Sequence, residues 1–459
     1  MRVNINHYES RAKALVLFCV FSIAALGIYA ARGLYADGSF FLYNILLQKN
    51  YWDFDKPRAF VQIITQTPVV IGIKFGLTDI TKLIYLHSLG LIGIPAIIWF
   101  FALIQHLKSR HFWTLLVAFS ATYLSSGFFA IGEYNLTYAL AAYCFSILLK
   151  DKLTHSDSVF IVAAAISLTR SYEAMIFLGP TLFLFAARRL INPESNKIIL
   201  EKYVLLVLLF LFSSASAISA WSILFPRDPV NLADAGNIFY ILKSGFFIFL
   251  TLMISAYFLI QIVPCKARAI LALIVIASSI YFITERNIWN SPVMNHNFRS
   301  LSGLILCSIF LAVFAGEFIK KHALIKIPAL KNSTQSEKLV SLSLFLSLAF
   351  VSATYSFEFS NWIKNFEIEA RKASGWIRID EVMPFDVEHS DFNWAWTNPS
   401  LSIILRGNSA GGILNSKAYS GWEPFKPEAM QENPIGYFSN KNELYIIKGT
   451  SNNPRVSVN

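Results

Sequence analysis

Three carboxylates that could act as a general base lie close together soon after the first long apolar run of the chain. Asp37 stands in the motif Tyr35-Ala-Asp-Gly, and Asp53 and Asp55 form an Asp-Phe-Asp motif further along the same segment, Arg32–Arg58. A carboxylate at the boundary of a membrane is costly unless it is paired or used, so each of the three is a candidate catalytic residue.

Helix capping is the alternative role for two of these acids. Asp37 could N-cap a helix that begins at Gly38, and Asp55 could cap one that begins near Pro57. Capping and catalysis are compatible roles, so Asp37 keeps its place as the leading candidate for a catalytic base.

Four arginines are candidates for binding a phosphate group. The planar guanidinium of arginine matches phosphate oxygens, and these arginines stand outside the basic loops, at the same ends of the apolar runs as Asp37. They are Arg58, Arg170, Arg286 and Arg299. For each of them the alternative is an ion pair with a nearby acid or a side chain that snorkels to the membrane interface.

Four other residues at these ends are candidates for binding an acceptor: Tyr35, Glu133, Glu173 and His296. Glu173 lies three residues after Arg170, so these two side chains could instead pair on one helical face. A lone histidine in a loop is more often simply solvated, which is the alternative for His296.

Composition determines the class of protein. Of the 459 residues, 55% are hydrophobic and only 15% are charged, and 40 are Phe. The mean hydropathy of +0.51 is typical of a polytopic membrane protein. The formal charge of +11 does not indicate a nucleic-acid-binding protein, because Lys and Arg cluster in short loops between apolar runs, as the positive-inside rule expects.

The apolar runs predict an all-α protein with about eleven membrane spans, its N-terminus inside and its C-terminus outside. The predicted spans are Ala14–Ala31, Leu83–Gln105, Phe112–Ile131, Tyr134–Leu149, Ser158–Ala187 as two short helices, Tyr203–Phe225, Ile238–Val263, Ala269–Thr284, Ser300–Ile319 and Leu339–Phe357. Ala14–Ala31 superficially resembles a signal peptide, but it is long enough to be a retained span. The apolar stretch Ile63–Gly76 is too short to cross and is predicted to be re-entrant or interfacial.

The stretch Ser158–Ala187 requires a break. One continuous helix would place Arg188 and Arg189 outside, against the charge rule. Two short helices that meet at 170–173 keep them inside, with the turn in a recess below the outer surface. Polar backbone at that depth is tolerated only where it lines protein or a wet cavity.

Two domains are predicted: a transmembrane domain, 1–357, and a small extracytoplasmic α+β domain, 358–459. Phe359–Ala373 is predicted to be an amphipathic interfacial helix, and strands are expected at 376–379 and at 401–405. This domain is rich in aromatic residues, which either fill its core or stack on sugar rings: Trp394, Trp396, Tyr419, Trp422 and Phe425.

This arrangement resembles the GT-C superfamily of polytopic glycosyltransferases, which use polyprenyl-phosphate-linked sugars. The resemblance is carried by a first span, an outer loop with a carboxylate in Tyr35-Ala-Asp37-Gly, surface helices in that loop, and about eleven spans followed by an outer C-terminal domain. It covers the whole chain in architecture but few residues in sequence.

The resemblance implies roles for individual acids. In that superfamily the first outer loop supplies an acidic catalytic base, and Asp37 is the position that matches best. Many members have two adjacent acids or an Asp-x-Asp there. In this chain Asp37 stands alone and is followed by Asp53-Phe-Asp55, so the base assignment stays open among the three. Some members use an acid of the second outer loop for a metal or the acceptor, and Glu133 stands at the corresponding place. A divalent cation (Mg, Mn or Ca) at Asp37 and Glu133 is therefore the one cofactor that the resemblance suggests.

The implied reaction inverts the anomeric carbon as a sugar passes from polyprenyl phosphate to a hydroxyl group. An aspartate accepts the proton, and arginines stabilise the departing phosphate. The donor sugar is not determined, arabinofuranosyl and mannosyl types included, and the acceptor is a glycan, a glycolipid or a surface protein. The expected location is a bacterial inner membrane, with membrane lipids as further partners and the site facing the periplasm.

Two other functions fit parts of the pattern. The first is a flippase or other transporter of lipid-linked sugars, whose charges would face a central cavity. The second is an O-antigen ligase or polymerase, which carries a long late outer loop with essential Arg and His residues. The loop 285–299 has Arg286, His296 and Arg299, but it is short, and the early acidic loop fits a GT-C transferase better.

Overall fold

The computed structural model describes residues 2–53, 56–125, 132–191, 199–225, 242–290, 298–321, 335–372, 375–394, 397–406 and 411–414. These residues are almost entirely α-helical, and one sheet of two short strands lies near the end of the described part. This helical content agrees with the all-α class expected from composition. Asp55, His296, Trp396, Tyr419, Trp422 and Phe425 lie outside the described residues.

The first half of the chain forms ten α-helices within the described ranges. They are α1 (Arg2–Tyr29), α2 (Asp37–Gln48), α3 (Ala59–Lys74), α4 (Ile80–Ser88), α5 (Ile94–Ile104), α6 (His111–Phe119), α7 (Tyr134–Leu148), α8 (His155–Thr169), α9 (Met175–Ile191) and α10 (Ile199–Leu224). Turns of π-helix, Leu89–Gly93 and Ser120–Leu124, join α4 to α5 and extend α6.

The second half continues with α11 (Gly245–Leu259), α12 (Cys265–Thr284), α13 (Arg286–Asn290), α14 (Phe298–Lys321), α15 (Gln335–Lys372), α16 (Ile379–Val382), α17 (Phe385–Glu388) and α18 (Asn398–Arg406). Strand β1 (Gly375–Arg378) pairs in parallel with β2 (Gly411–Leu414), with Gly375 opposite Gly411.

Six helices among the described residues are long and apolar enough to cross a membrane. They span Glu9–Tyr29, Ile80–Ile104, Ile199–Leu224, Lys266–Thr284, Leu301–Phe318 and Gln335–Lys372. Shorter apolar helices, α8 and α11 among them, lie between these six. The chain is therefore a helical membrane protein, while the total of eleven spans stays a prediction.

The predicted break in the stretch 158–187 is confirmed. Helix α8 ends at Thr169 and α9 begins at Met175, so Arg170 and Glu173 both lie in the connecting turn. Helix α8 begins with a capping box, in which the Thr154 hydroxyl accepts from the backbone of Asp157 and the Asp157 carboxylate accepts from the backbone of Thr154. The two helices pack against α10, which places the turn at one end of a three-helix layer.

The last span does not stop at residue 357. Helix α15 runs unbroken for 38 residues, or about 57 Å at 1.5 Å per residue. The separate interfacial helix predicted at 359–373 is therefore the second half of this helix, since neither Gly nor Pro interrupts the sequence from 335 to 372. Its apolar face, with Phe359, Trp362 and Phe366, is buried.

The segment that follows α15 folds back onto the helices. The strand expected at 376–379 is observed as β1, one residue earlier. The strand expected at 401–405 is wrong: these residues lie in α18, where Leu401, Ile404 and Leu405 share one buried face at helical spacing. Helix α18 packs on α2 and α15, so this part of the segment contacts the first loop, while the division into two domains stays a prediction.

Candidate functional site

The turn that leads into α2 is held in a strained backbone conformation. Ala31 has φ 55° and Ala36 has φ 53°, a region that residues with a Cβ rarely adopt. Between them, Arg32–Leu34 form a 3-10 turn. Strained residues persist only where their surroundings hold them in place, and they cluster at functional sites. Asp37, the first residue of α2, follows directly after Ala36.

Helix α4 holds this turn in place through two adjacent side chains. The Ser88 hydroxyl accepts a hydrogen bond of 3.1 Å from the backbone N–H of Gly33. His87 Nε2 lies 2.9 Å from the carbonyl oxygen of Gly38, to which it donates. A Cβ on Gly38 would lie 1.8 Å from the carbonyl oxygen of Gly33, so the close return of the chain requires glycine.

Asp37 forms an ion pair with Arg299, which lies at the start of α14. The Asp37 Oδ2 to Arg299 Nη1 distance is 3.5 Å, and the side chains keep 21% and 17% of their surface exposed, respectively. The hydroxyl of Tyr138 on α7 donates to the backbone carbonyl of Arg299. This contact fixes the end of α14 beside α2, so an acid and a base that lie far apart in the sequence meet at a partly open surface.

Arg58 connects two further acids. Its Nη1 lies 2.9 Å from Glu133 Oε1, while its Nε and Nη2 lie 2.9 and 2.5 Å from Glu173 Oε1. The Glu133 side chain is 4% exposed and the Glu173 side chain is 24% exposed. The Arg58 guanidinium also stacks over the ring of Tyr172, 4.9 Å from its centroid.

Three tyrosines lie between the two ion-pair groups. The ring centroids of Tyr134, Tyr138 and Tyr172 are 5.8 to 6.4 Å apart. The Arg299 guanidinium interacts electrostatically with Asp37, Arg58, Tyr134 and Tyr172, and the Tyr138 hydroxyl interacts with Arg299 and Glu173. These charged residues and the three tyrosines therefore form one group, which we call the tyrosine-centred cluster. Its charged members are Asp37, Arg299, Arg58, Glu133 and Glu173.

A buried arginine borders this cluster. Arg32 is 2% exposed, and its guanidinium lies 5.6 Å from the ring centroids of both Tyr35 and Phe359. It also interacts electrostatically with Tyr134. The Tyr35 hydroxyl donates to the backbone carbonyl of Asp391 at 3.4 Å. Burial raises the pKa of Tyr35, an effect that the Arg32 charge partly offsets, so Tyr35 is a neutral donor.

The remaining predicted site residues lie elsewhere. Arg286 pairs with Glu358 at 2.8 Å and stacks over Trp289, near the residues that follow α15. Arg170 is exposed, and its guanidinium lies over the ring of Phe60, 5.8 Å from the ring centroid. Glu173, which the sequence suggested as its partner, bonds to Arg58 instead. Asp53 is exposed.

Sequence reasoning missed several members and neighbours of this site. Arg32 directly follows the first span, and this position at a membrane boundary could have identified it as a candidate site residue. Tyr134, Tyr138 and Tyr172 carry no distinguishing local pattern, because tyrosines are frequent in this chain. His87 lies within an apolar helix, where a titratable side chain needs a partner, and that partner is the backbone of the first loop.

The two acids that the resemblance suggests for a divalent cation are each paired with an arginine: Asp37 with Arg299, and Glu133 with Arg58. Within the described part of the chain, no three His, Cys, Asp or Glu side chains come together in a group that could hold a metal ion. Chemically, the arrangement suits a carboxylate that takes up a proton next to guanidinium groups that bind an oxyanion.

Comparisons of the chain with protein-family models, curated proteins and solved structures return no match.

Proposed function

We propose that this chain is a membrane glycosyltransferase of the GT-C type, which transfers a sugar from a polyprenyl-phosphate-linked donor to an acceptor hydroxyl. One observation carries the proposal: Asp37 lies in a strained first-loop turn, paired with Arg299 and adjacent to the Arg58–Glu133–Glu173 group. Carboxylate and guanidinium groups at the end of apolar helices suit a substrate whose head is polar and whose tail stays in the bilayer.

In the proposed reaction the acceptor hydroxyl attacks the anomeric carbon of the sugar from the face opposite the phosphate. A new carbon–oxygen bond forms as the bond between that carbon and the phosphate oxygen breaks, with inversion. Asp37 takes the hydroxyl proton, and polyprenyl phosphate leaves with the electron pair. A positioned base of this kind contributes about 10²–10⁴-fold to the rate.

Arg299 is the group proposed to stabilise the departing phosphate. The Arg299 guanidinium forms an ion pair of 3.5 Å with Asp37, so it lies directly beside the carboxylate that is proposed as the base. In the proposed step an oxygen of the donor phosphate binds this guanidinium, and Asp37 accepts the proton of the acceptor hydroxyl.

Arg58 and its two acids are proposed to bind the sugars. Glu133 is buried and keeps Arg58 in place, whereas the more exposed Glu173 can accept hydrogen bonds from sugar hydroxyls. Arabinofuranosyl, mannosyl and other donors remain candidates, as do glycan, glycolipid and surface-protein acceptors. The proposed setting is a bacterial inner membrane, with the N-terminus inside and the cluster on the periplasmic side.

The test is a transfer assay with purified protein in vesicles. The donors are polyprenyl phosphates carrying arabinofuranose, mannose, another hexose or an aminosugar, and the product is a new glycosidic bond to a glycan or glycolipid acceptor. Asp37→Asn should lower the rate by about 10²–10⁴-fold. The matched control is Asp53→Asn, which removes an exposed acid of the same loop and should leave the rate near that of the wild type.

Four results would overturn parts of the proposal or all of it. Full activity in Asp37→Asn would show that Asp37 is not the base, and loss of activity in Asp53→Asn alone would move that role to Asp53. Movement of the lipid-linked sugar across the vesicle membrane with no glycosidic bond formed would identify a flippase instead. No transfer by the wild-type protein from any of the four donors would contradict the proposed reaction class.

A further inference from the structure

A second polar site lies at the other end of the helices. A cavity of about 260 Å³ opens between α6, α11, α14 and α15. Its polar side is formed by Arg110, His111, Gln261 and Glu337, and its apolar side includes Ile262 and Val313. The cavity therefore combines a charged end with an apolar wall, as expected of a site that binds an amphiphilic molecule.

This cavity is remote from the tyrosine-centred cluster. Arg299 stands at the start of α14, whereas Gly316, which lines the cavity, stands near its end. On α15, Tyr355 lies on the side of Arg32 and Tyr35, whereas the cavity residue Glu337 lies in the first turn. At 1.5 Å of rise per residue, the two sites are roughly 25 Å apart along both helices. One polar headgroup therefore cannot contact both sites.

The polar end of the cavity is built on buried contacts. The Thr114 and Tyr257 hydroxyls are hydrogen-bonded at 2.8 Å, and Tyr257 interacts electrostatically with both Glu337 and Arg110. The Glu337 carboxylate is directed inward, because that residue is only 4% exposed. Arg110 and His111 are half-buried and so present cationic or hydrogen-bonding groups to the opening.

The surroundings of the cavity are basic. The short connections at this end of the helices carry five positive residues, Lys108, Arg110, Lys152, Lys266 and Arg268. Three more, Lys150, Arg188 and Arg189, are paired with Asp157, Glu317 and Glu201. Basic connections near the ends of spans attract the anionic lipid headgroups of the adjacent leaflet. The charge at this end is therefore complementary to an anionic membrane surface.

The apolar side of the cavity has unused space. A Cβ added at Gly316 would meet no atom of the described residues within 4 Å. The neighbouring wall consists of Phe258 and Leu259 on α11, of Ile262 in the turn that follows it, and of Val313 on α14. A hydrocarbon chain fits such a wall, whereas a free phosphate ion gains nothing from it.

From these observations we infer that this cavity is a binding site for an anionic phospholipid of the adjoining leaflet. Its phosphate contacts Arg110 and His111, and one acyl chain lies along Ile262, Val313 and Gly316. The site does not depend on the proposed transferase activity, because its residues lie outside the tyrosine-centred cluster.

The experiment is a lipid titration of the detergent-purified full chain, followed by its thermal-unfolding midpoint. Dioleoylphosphatidylglycerol should raise the midpoint of the wild type, whereas dioleoylphosphatidylcholine and inorganic phosphate should not. The double variant R110Q/H111Q should need about tenfold more phosphatidylglycerol for the same shift. Lys108→Gln, which removes an exposed charge of the same loop that does not line the cavity, is the matched control and should change the response far less than R110Q/H111Q does.

A second variant tests the acyl end without altering a charge. Gly316→Leu places a side chain in the open space beside the apolar wall and should abolish the response to phosphatidylglycerol. This variant keeps the test decisive if R110Q/H111Q fails to fold. The inference is overturned if phosphatidylcholine or inorganic phosphate stabilises the wild type as well as phosphatidylglycerol does. It is also overturned if Lys108→Gln loses as much response as R110Q/H111Q, or if Gly316→Leu keeps the full response.

Discussion

Removing Arg58 should destabilise the protein far more than removing Arg170, although the sequence presents the two as equivalent phosphate-binding candidates. Arg58 bonds to Glu133 and Glu173, and the Glu133 carboxylate is almost fully buried. Arg170 is exposed and contacts the ring of Phe60. Arg58→Gln therefore leaves two acids without the guanidinium that they share, whereas Arg170→Gln loses one surface contact.

The structure sets the scale of the difference. Breaking a buried ion pair by removing one partner costs about 3–5 kcal/mol. Solvent reaches Glu173, whose side chain is 24% exposed, so we expect a loss at the lower end of this range, about 3 kcal/mol, for Arg58→Gln. An exposed cation–π contact is worth about 0.5–1 kcal/mol, which is the expected loss for Arg170→Gln.

The assay is chemical denaturation of the purified protein in mixed micelles, with the free energy of unfolding compared across four variants. These are Arg58→Gln, Arg170→Gln, Glu133→Gln and the double variant R58Q/E133Q. The double variant should recover part of the loss caused by Arg58→Gln, because it no longer carries the buried uncompensated charge.

Two results would refute this reasoning. If Arg58→Gln and Arg170→Gln lose the same stability, the acids do not depend on Arg58. If R58Q/E133Q is as unstable as the sum of its single variants, the contact between the two side chains contributes nothing.

Three further predictions concern the elements around the site. Gly38→Ala should lower the midpoint of thermal unfolding sharply, since its Cβ would lie 1.8 Å from the Gly33 carbonyl oxygen; an unchanged midpoint would contradict the close approach of the two chains. Ala36→Gly should raise the free energy of unfolding by up to about 1 kcal/mol, because glycine adopts φ 53° without the strain that Ala36 carries there. A lower stability in denaturant titration would contradict the strain at Ala36. Trp362→Ala should lower the free energy of unfolding by about 3–5 kcal/mol and increase proteolysis of the segment after α15. The reason is that the Trp362 indole donates to the Val387 carbonyl at 3.0 Å. A protease-resistant variant of normal stability would show that other contacts hold this segment.

Local properties of the sequence were sufficient for several features. The apolar composition indicated a helical membrane protein, because only helices or closed barrels satisfy the backbone inside a bilayer. The break between α8 and α9 followed from the charge rule applied to Arg188 and Arg189, and the structure confirms the break. The choice of Asp37 as a candidate followed from its place at the end of an apolar run, and its role as a base stays a prediction.

Other local inferences failed because tertiary packing overrode them. The residues 401–405 have the composition of a strand, yet they form a helix whose buried face lies on α2 and α15. A separate helix was expected after residue 357, yet α15 continues through that position without a Gly or Pro, and α17 and α18 pack against it.

Only the tertiary structure decided which charges meet. Glu173 lies three residues from Arg170, but its partner is Arg58, which is 115 positions away in the sequence. Asp37 likewise meets Arg299, and each pairing depends on how several helices pack against one another. Composition and charge patterns describe single segments and their surroundings in the bilayer. The distance between two side chains on different helices depends on the packing of all the helices between them, so no local pattern contains it.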